Sequence, residues 1–265
     1  MIRVFPRRNK WTPTDEMAFV GDPPESRPPA NIPVRVSVTF TWDIPEGRRL
    51  LAAWSRCYSD VRLGGPALDD PGSEFVPGRF VYEGVTITSR GCPNKCSFCF
   101  VPKREGRIRE LPIQAGWIIQ DNNLLACSDR HIEAVVEMLS QQKNAVCFNG
   151  GLDSRLFSDR HIKLFSRLRV HEYWFACDST PALGPLRRVA SMLSHVSINK
   201  KRCYVMVGFH ESIAVAESRL QQVFNMGFLP FAQLYRNLEP AAYSPEWRAL
   251  ARYWSRPAIY CSHAK

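Results

Sequence analysis

The sequence predicts an α/β fold in which repeated strand–helix units follow one another and their strands lie side by side in parallel. Three observations predict it. From residue 81 onward, apolar runs of strand length alternate with segments of helical periodicity. The pentapeptide Ser128-Asp129-Arg130-His131-Ile132 recurs thirty residues later as Ser158-Asp159-Arg160-His161-Ile162, and about thirty residues is the length of one βα unit. The chain has 265 residues, 45% hydrophobic and 23% charged, enough to bury one large core, or one large and one small. Six such units make a partial (β/α)6, TIM-like barrel, preceded by a short βαβ segment.

The N-terminal segment, residues 1–80, begins with a proline-rich arm. Residues 21–33 hold Pro23, Pro24, Pro28, Pro29 and Pro33, which rule out a regular helix or a central strand. Val34, Val36, Val38 and Phe40 then alternate with polar residues as in a strand with one buried face. Asp43-Ile44-Pro45 reads as a turn and Leu50–Trp54 as helix. Val61–Leu63 reads as a second strand, ended by Gly64-Gly65-Pro66.

The barrel segment spans residues 81–240, with residues 241–265 as a C-terminal helix and tail. Strands are expected at Val85–Ser89, Trp117–Gln120, Ala145–Asn149, Glu172–Ala176, Cys203–Gly208 and Phe228–Leu234. Helices are expected at 129–142, 158–168, 182–194, 211–226 and 245–254. In the first helix Ile132, Val135, Val136 and Leu139 share one face. Ser128 and Ser158 are N-cap candidates, Gly227 is a helix stop, and the two repeat histidines read as helix-surface residues.

The most informative run is Ser89-Arg90-Gly91-Cys92-Pro93-Asn94-Lys95-Cys96-Ser97-Phe98-Cys99-Phe100. Three thiols spaced C-x3-C-x2-C can serve one metal centre, whereas closed structural sites usually take four protein ligands. Three leave one metal position open to a small molecule. With its preceding apolar strand and with Phe98 before the last cysteine, the run resembles the signature of the radical S-adenosylmethionine (radical SAM) enzymes. The resemblance implies that Cys92, Cys96 and Cys99 hold a [4Fe-4S] cluster and that S-adenosylmethionine chelates its fourth iron. It further implies that reductive cleavage yields a 5'-deoxyadenosyl radical that abstracts hydrogen from a substrate. It also implies an electron donor such as flavodoxin or ferredoxin. The N-terminal segment resembles a remnant of the cobalamin-type domain that precedes some of these barrels, but no D-x-H-x-x-G motif is present, so cobalamin is not expected. A metal-binding or redox-sensing module without catalysis is the alternative from another class.

Active sites in parallel barrels lie at the strands' C-terminal ends, and that rule selects further candidates. The second strand ends in Asp121-Asn122-Asn123, where the family carries a motif binding the methionine amino group; an Asx-rich turn is the other reading. The third ends in Asn149-Gly150-Gly151-Leu152-Asp153-Ser154-Arg155. There the glycines allow close backbone approach, and Asp153 and Arg155 are candidates for cofactor or substrate contacts or form a surface ion pair. The fourth ends in Cys177-Asp178-Ser179. Asp178 and Ser179 match cofactor-contacting positions of related barrels, and Cys177 is a candidate catalytic thiol at the mouth or an inert core cysteine. The fifth, Tyr204–Glu211, resembles a family pattern that packs on adenine, matched at Gly208 and Glu211. The sixth ends in Tyr235-Arg236, and Arg236 is a candidate for a carboxylate or phosphate.

The net charge is +10, of which residues 81–265 carry +9. A basic barrel half suits a phosphate-bearing substrate, a nucleotide or nucleic acid. A small metabolite or peptide whose carboxylate meets Arg155 or Arg236 is the alternative. No apolar run approaches membrane-span length, no hydrophobic leader follows Met1, and nine cysteines without a disulfide pattern read as cytoplasmic thiols and metal ligands.

Overall fold

The computed structural model describes residues 1–26, 28–68, 75–236 and 242–262. The chain divides into two compact units, Met1–Val85 and Thr86–Lys265.

In the first unit, β1 (Ile2–Phe5), β2 (Ala18–Val20) and β3 (Val34–Ser37) are followed by α1 (Ile44–Ser55) and β4 (Val61–Gly64). They form a parallel four-stranded sheet of order β2-β1-β3-β4. The expected βαβ unit is β3-α1-β4. The helix starts earlier than its apolar stretch, at Ile44, because a proline in the first helical turn forfeits no hydrogen bond. The sequence reading missed β1 and β2. All four residues of β1 are buried, Arg3 included, so no alternation marks the strand. Arg3 tolerates burial because it pairs with Asp15 and donates to the carbonyls of Gly78 and Arg79 at 3.1 and 2.8 Å. The proline-rich arm is tied to α1, with Trp54 Nε1 donating to Gly21 O at 3.0 Å and Tyr58 OH to Pro28 O at 2.8 Å.

The boundary between the units falls within β5 (Val85–Thr86). A small antiparallel pair, β6 (Ser89–Arg90) and β7 (Arg109–Glu110), encloses the cysteine run and the short helix α2 (Val101–Arg104). Then follow β8 (Ile118–Ile119), α3 (Asp129–Ser140), β9 (Val146–Leu152), α4 (Asp159–Phe165), β10 (Val170–Ala176), α5 (Leu183–Met192), β11 (Lys201–Val207), α6 (Ile213–Asn225), β12 (Leu229–Leu234), α7 (Pro245–Trp254) and α8 (Pro257–Tyr260). The six-stranded sheet has the order β12-β11-β10-β9-β8-β5, with β8 through β12 paired parallel. Each strand lies beside its predecessor in the sheet, which is the order of a partial TIM-like barrel.

Helix faces explain the core. Ile132, Val135, Val136 and Leu139 of α3 are all buried, as are Leu186 and Val189 of α5 and Leu220 and Val223 of α6. They pack on alternate strand residues such as Phe148, Phe175, Val205 and Val207. The rings of Phe148 and Phe165 stack at 4.6 Å, and such a pair adds about 1 kcal/mol beyond its buried area. The other sheet face carries Trp174 stacked on Tyr204 at 4.3 Å, with the edge of Phe231 against both.

The repeat is architectural, but its histidines are buried, contrary to the surface expectation. The Ser128 hydroxyl accepts from His131 N at 3.2 Å. Ser158 and His161 form a reciprocal cap, with Ser158 N donating to His161 Nδ1 at 3.1 Å. The two copies also touch: Arg160 of the second pairs with Asp129 of the first and with Glu133 just after it. Among the described residues no helix is long and apolar enough to cross a membrane.

Candidate cluster and cofactor site

The cysteine loop leaves β6 through Gly91, whose φ is +84°. A side chain there would put its Cβ 2.1 Å from Arg107 O, so only glycine lets the loop close on itself. Cys92 N donates to Gly106 O at 3.2 Å, and Cys99 N to Cys96 O at 3.1 Å. Gly91 N is held by Asn122 Oδ1 at 3.0 Å and by Glu105 at 3.3 Å. All three cysteines are half-buried and free. Burial pushes the Cys96 and Cys99 thiols up, and the neighbouring cysteines push them further; Arg155 opposes this at Cys96. Cys96 and Cys99 thus feel the charge of the other sulfurs in the run, which cationic iron would relieve. Among the described residues no three His, Cys, Asp or Glu side chains are gathered to hold a single metal ion. A cubane gives each sulfur its own iron, so its ligands need not meet at one point.

The end of β8 divides its three residues among three tasks. Asp121 is 1% exposed. Its carboxylate accepts from Thr88 N at 2.7 Å, Thr88 Oγ1 at 2.6 Å and Ser89 Oγ at 2.7 Å. Burial pushes it up despite these bonds. Both oxygens are engaged in fastening the strand that precedes the cysteine loop. Asn122 holds Gly91. Asn123 is buried, and its Nδ2 donates to Asp153 Oδ2 at 3.2 Å and to Cys92 Sγ at 3.5 Å. Its Oδ1 is buried without a partner. A buried acceptor with nothing to accept fits an ammonium donor such as that of S-adenosylmethionine.

At the end of β9, Asn149 is buried; its Oδ1 accepts from the Cys147 thiol at 3.3 Å and its carbonyl from Tyr204 OH at 3.0 Å. Gly150 lies against the end of β8, where a Cβ would stand 2.1 Å from Asp121 O. Gly151, with φ +90°, has only Tyr204 Cδ2, at 4.0 Å, near its missing Cβ. Asp153 accepts from Arg155 Nε and Nη2, both at 2.8 Å, and from Asn94 Nδ2 at 2.9 Å. Burial pushes Asp153 up, but these bonds and the Arg155 charge outweigh it and hold the carboxyl below its ordinary value. Arg155 is therefore committed to Asp153, and reaching a substrate carboxylate would require it to give up that pair.

Cys177 lies in the core with 0% exposure, not at the mouth, and burial pushes its thiol up to about 12. A reacting group must touch its substrate, and the fully enclosed Cys177 thiol does not reach the mouth where the sequence places a catalytic candidate. Asp178 is half-buried; it accepts from Met206 N at 2.9 Å, burial pushes it up, and its charge reaches Cys96. Ser179 is exposed beside it. Gly208 N donates to Glu211 at 3.2 Å, and Arg219 grips the Glu211 carboxylate at 2.6 and 2.8 Å while donating to Met206 O at 2.6 Å. Glu211 thus ties down the end of β11, and its two oxygens are occupied. Phe98 of the cysteine run meets Phe209 at 5.8 Å, and Phe209 meets Tyr235 at 4.7 Å. These rings connect the cysteine loop with the ends of β11 and β12. Arg236 is exposed at the end of the described stretch.

Sequence reasoning missed Asn94, Thr88, Ser89, Glu105 and Arg219. Only Arg219 carried a signal: it is a charged residue on the buried stripe of α6, beside Leu220 and three residues from Ala216. The others act through contacts between segments far apart in the chain.

No family model and no curated protein matches the chain. Solved structures do. A radical S-adenosylmethionine methyltransferase, TsrM from Kitasatospora setae, with tryptophan substrate and a SAM analogue bound, aligns at TM-score 0.55 and 11% identity over 79% of this chain. The same enzyme with cobalamin and a [4Fe-4S] cluster aligns at TM-score 0.57, again at 11% identity and over 79% of this chain. The fold is one that radical SAM enzymes use. The chain spans 62% of the length of each of these structures.

Proposed function

We propose that the chain is a radical SAM enzyme whose cluster is held by Cys92, Cys96 and Cys99. The observation that carries this reading is the place of the C-x3-C-x2-C loop. It follows the first strand of a partial parallel barrel, at the end where such barrels do chemistry, and it is hydrogen-bonded to the ends of β8 and β9. A bound [4Fe-4S] cluster supplies the electron that opens the sulfonium of S-adenosylmethionine and so provides a 5'-deoxyadenosyl radical for hydrogen abstraction. The chain's own residues do the rest. Asn123 Oδ1, buried and unpartnered, would receive the methionine ammonium. Asp178, whose charge reaches Cys96 and Cys99, and its neighbour Ser179 would add polar groups to the cofactor site. The Phe98–Phe209 pair offers aromatic faces for adenine.

Anaerobic reconstitution with iron and sulfide, followed by dithionite and S-adenosylmethionine, is expected to release 5'-deoxyadenosine, and Cys96→Ala to abolish release. Release that persists in Cys96→Ala sinks the assignment.

The substrate we favour is a nucleotide or nucleic acid, on the +9 charge of residues 81–265. Retention on RNA or DNA that weakens steeply with salt is expected; retention absent at low salt removes this choice. The second reading, a small metabolite, is favoured by the aromatic cluster of Trp174, Tyr204 and Phe231 on the sheet face away from the helices and by the tryptophan bound in one TsrM structure. Deuterium transfer into 5'-deoxyadenosine from one labelled pool or the other decides between them. A flavodoxin or ferredoxin would supply the electron, and the cytoplasm is the compartment in which such thiols stay reduced.

A further inference from the structure

The Asp153 carboxylate is the point where three separate segments meet. Its Oδ2 accepts from Asn94 Nδ2 at 2.9 Å, Asn123 Nδ2 at 3.2 Å and Arg155 Nη2 at 2.8 Å. Its Oδ1 accepts from the Arg155 backbone N at 3.0 Å and from Arg155 Nε at 2.8 Å. The side chain is 8% exposed, so water does not compete for these positions. Asn94 stands between Cys92 and Cys96, inside the run that carries the thiols. Asn123 uses one amide group for two acceptors, Asp153 and Cys92 Sγ. Turning that amide over would set its oxygen against the Asp153 carboxylate, so Asp153 also determines which way Asn123 points. The turn that carries Asp153 is itself braced. Arg188 of α5 donates from Nη2 to the carbonyls of Ser154, Arg155 and Phe157, at 3.0, 3.1 and 3.1 Å.

We propose that Asp153 is a positioning residue: it clamps the cysteine loop to the end of β9 before any cluster is present, and it aims the Asn123 amide at the Cys92 sulfur. The first effect is conformational. The loop from 91 to 100 has no regular structure, and ordering it in advance removes the conformational-entropy cost of fixing its backbone from the assembly step. Hydrogen bonds to a carboxylate are the strong kind, suited to a clamp. The second effect is electronic. An N–H pointed at a ligating sulfur stabilises the more negative, reduced form of a cluster and so raises its potential. Only this second half rests on the radical SAM reading.

Two measurements on four variants separate the effects. Hydrogen exchange of the 91–100 amides is followed in the cluster-free protein, and the midpoint potential is taken by redox titration after reconstitution. Asn94→Ala is expected to speed exchange of the loop at least ten-fold and leave the potential where it was. Asn123→Ala is expected to move the potential to more negative values with little change in loop exchange. Asp153→Asn is expected to do both, and Asp153→Glu, which keeps the charge and the acceptors, to restore part of the protection. Wild-type exchange in Asp153→Asn overturns the clamp. So does acceleration that spreads through β9–β12, since that would mark ordinary loss of folding. An unchanged potential in both Asn123→Ala and Asp153→Asn overturns the electronic half. Should the wild-type protein take up no iron, the radical SAM reading falls with the electronic half, and the exchange data still decide the clamp.

Discussion

The ends of β8 and β9 each present an aspartate to the cysteine loop, and the two are held in opposite ways. Asp121 is buried among neutral donors, the hydroxyls of Thr88 and Ser89 and one N–H, and burial raises its pKa. Asp153 is enclosed too, but by a guanidinium and two amides, and its pKa is lowered. The difference teaches that burial alone does not decide a carboxylate's charge; the charge of its partners does. Asp121 fastens the strand that precedes the loop. Asp153 stays ionised and organises the loop itself.

The largest expected effect tests where the two strand ends touch. Gly150→Ala would drive a Cβ into the Asp121 backbone at 2.1 Å, and is expected to cost about 3 kcal/mol. At neighbouring Gly151, with room but φ +90°, alanine is expected to cost about 1 kcal/mol. Equal denaturation midpoints for the two variants would break the claim that β9 packs on β8 at Gly150.

Asp121→Asn is expected to cost about 2 kcal/mol, because the two hydroxyl donors lose an acceptor in a buried place. Its pH dependence is the sharper test. A raised folded pKa contributes stability in full below the ordinary aspartate value, about pH 4, and loses it as pH rises through the folded value. The penalty of Asp121→Asn should therefore be greatest in acid and shrink toward neutrality. For Asp153 the folded pKa is lowered, so its stability is present above about pH 4 and is lost as pH falls through the folded value. The penalty of Asp153→Asn, about 1 kcal/mol given the partial exposure of Arg155, should grow as pH rises. Urea titrations of both variants from pH 3 to 7 check the signs, and parallel slopes would erase the contrast.

The smallest effect concerns the helices that follow. Ser128→Ala removes the cap of α3 and should cost about 1 kcal/mol. Ser158→Ala should cost less, because the Ser158 N–H bond to His161 Nδ1 survives. Thermal melts that rank them the other way would place the burden of capping on the serine alone.

Much of this was legible in the chain. The helix at 245–254 was read to the residue, and Gly227, with φ +81°, ends α6 as expected. These are local matters of periodicity, capping and turn chemistry. The strand Ile2–Phe5 was not legible, since a strand buried along its whole length shows no alternation. Nor was the burial of His131 and His161, because a histidine on a helix reads as polar until its neighbours are known. The cysteine run was conspicuous, and its place after a strand followed from order alone. That Asn94 rather than Lys95 is the residue joining the loop to the sheet could not be read, because its partner Asp153 lies 59 residues away.

The sequence by itself determined the strand–helix series, the glycines at forced turns and the spacing of the three thiols, since each depends on residues within a few positions of one another. The tertiary structure alone decided which polar side chains meet. It enclosed Cys177 in the core, turned Glu211 toward Arg219, spent Asp121 on Thr88 and Ser89, and brought Asn94, Asn123 and Asp153 to one point. Hydrogen bonding and desolvation act over a few ångströms of space, and chain order does not carry that distance.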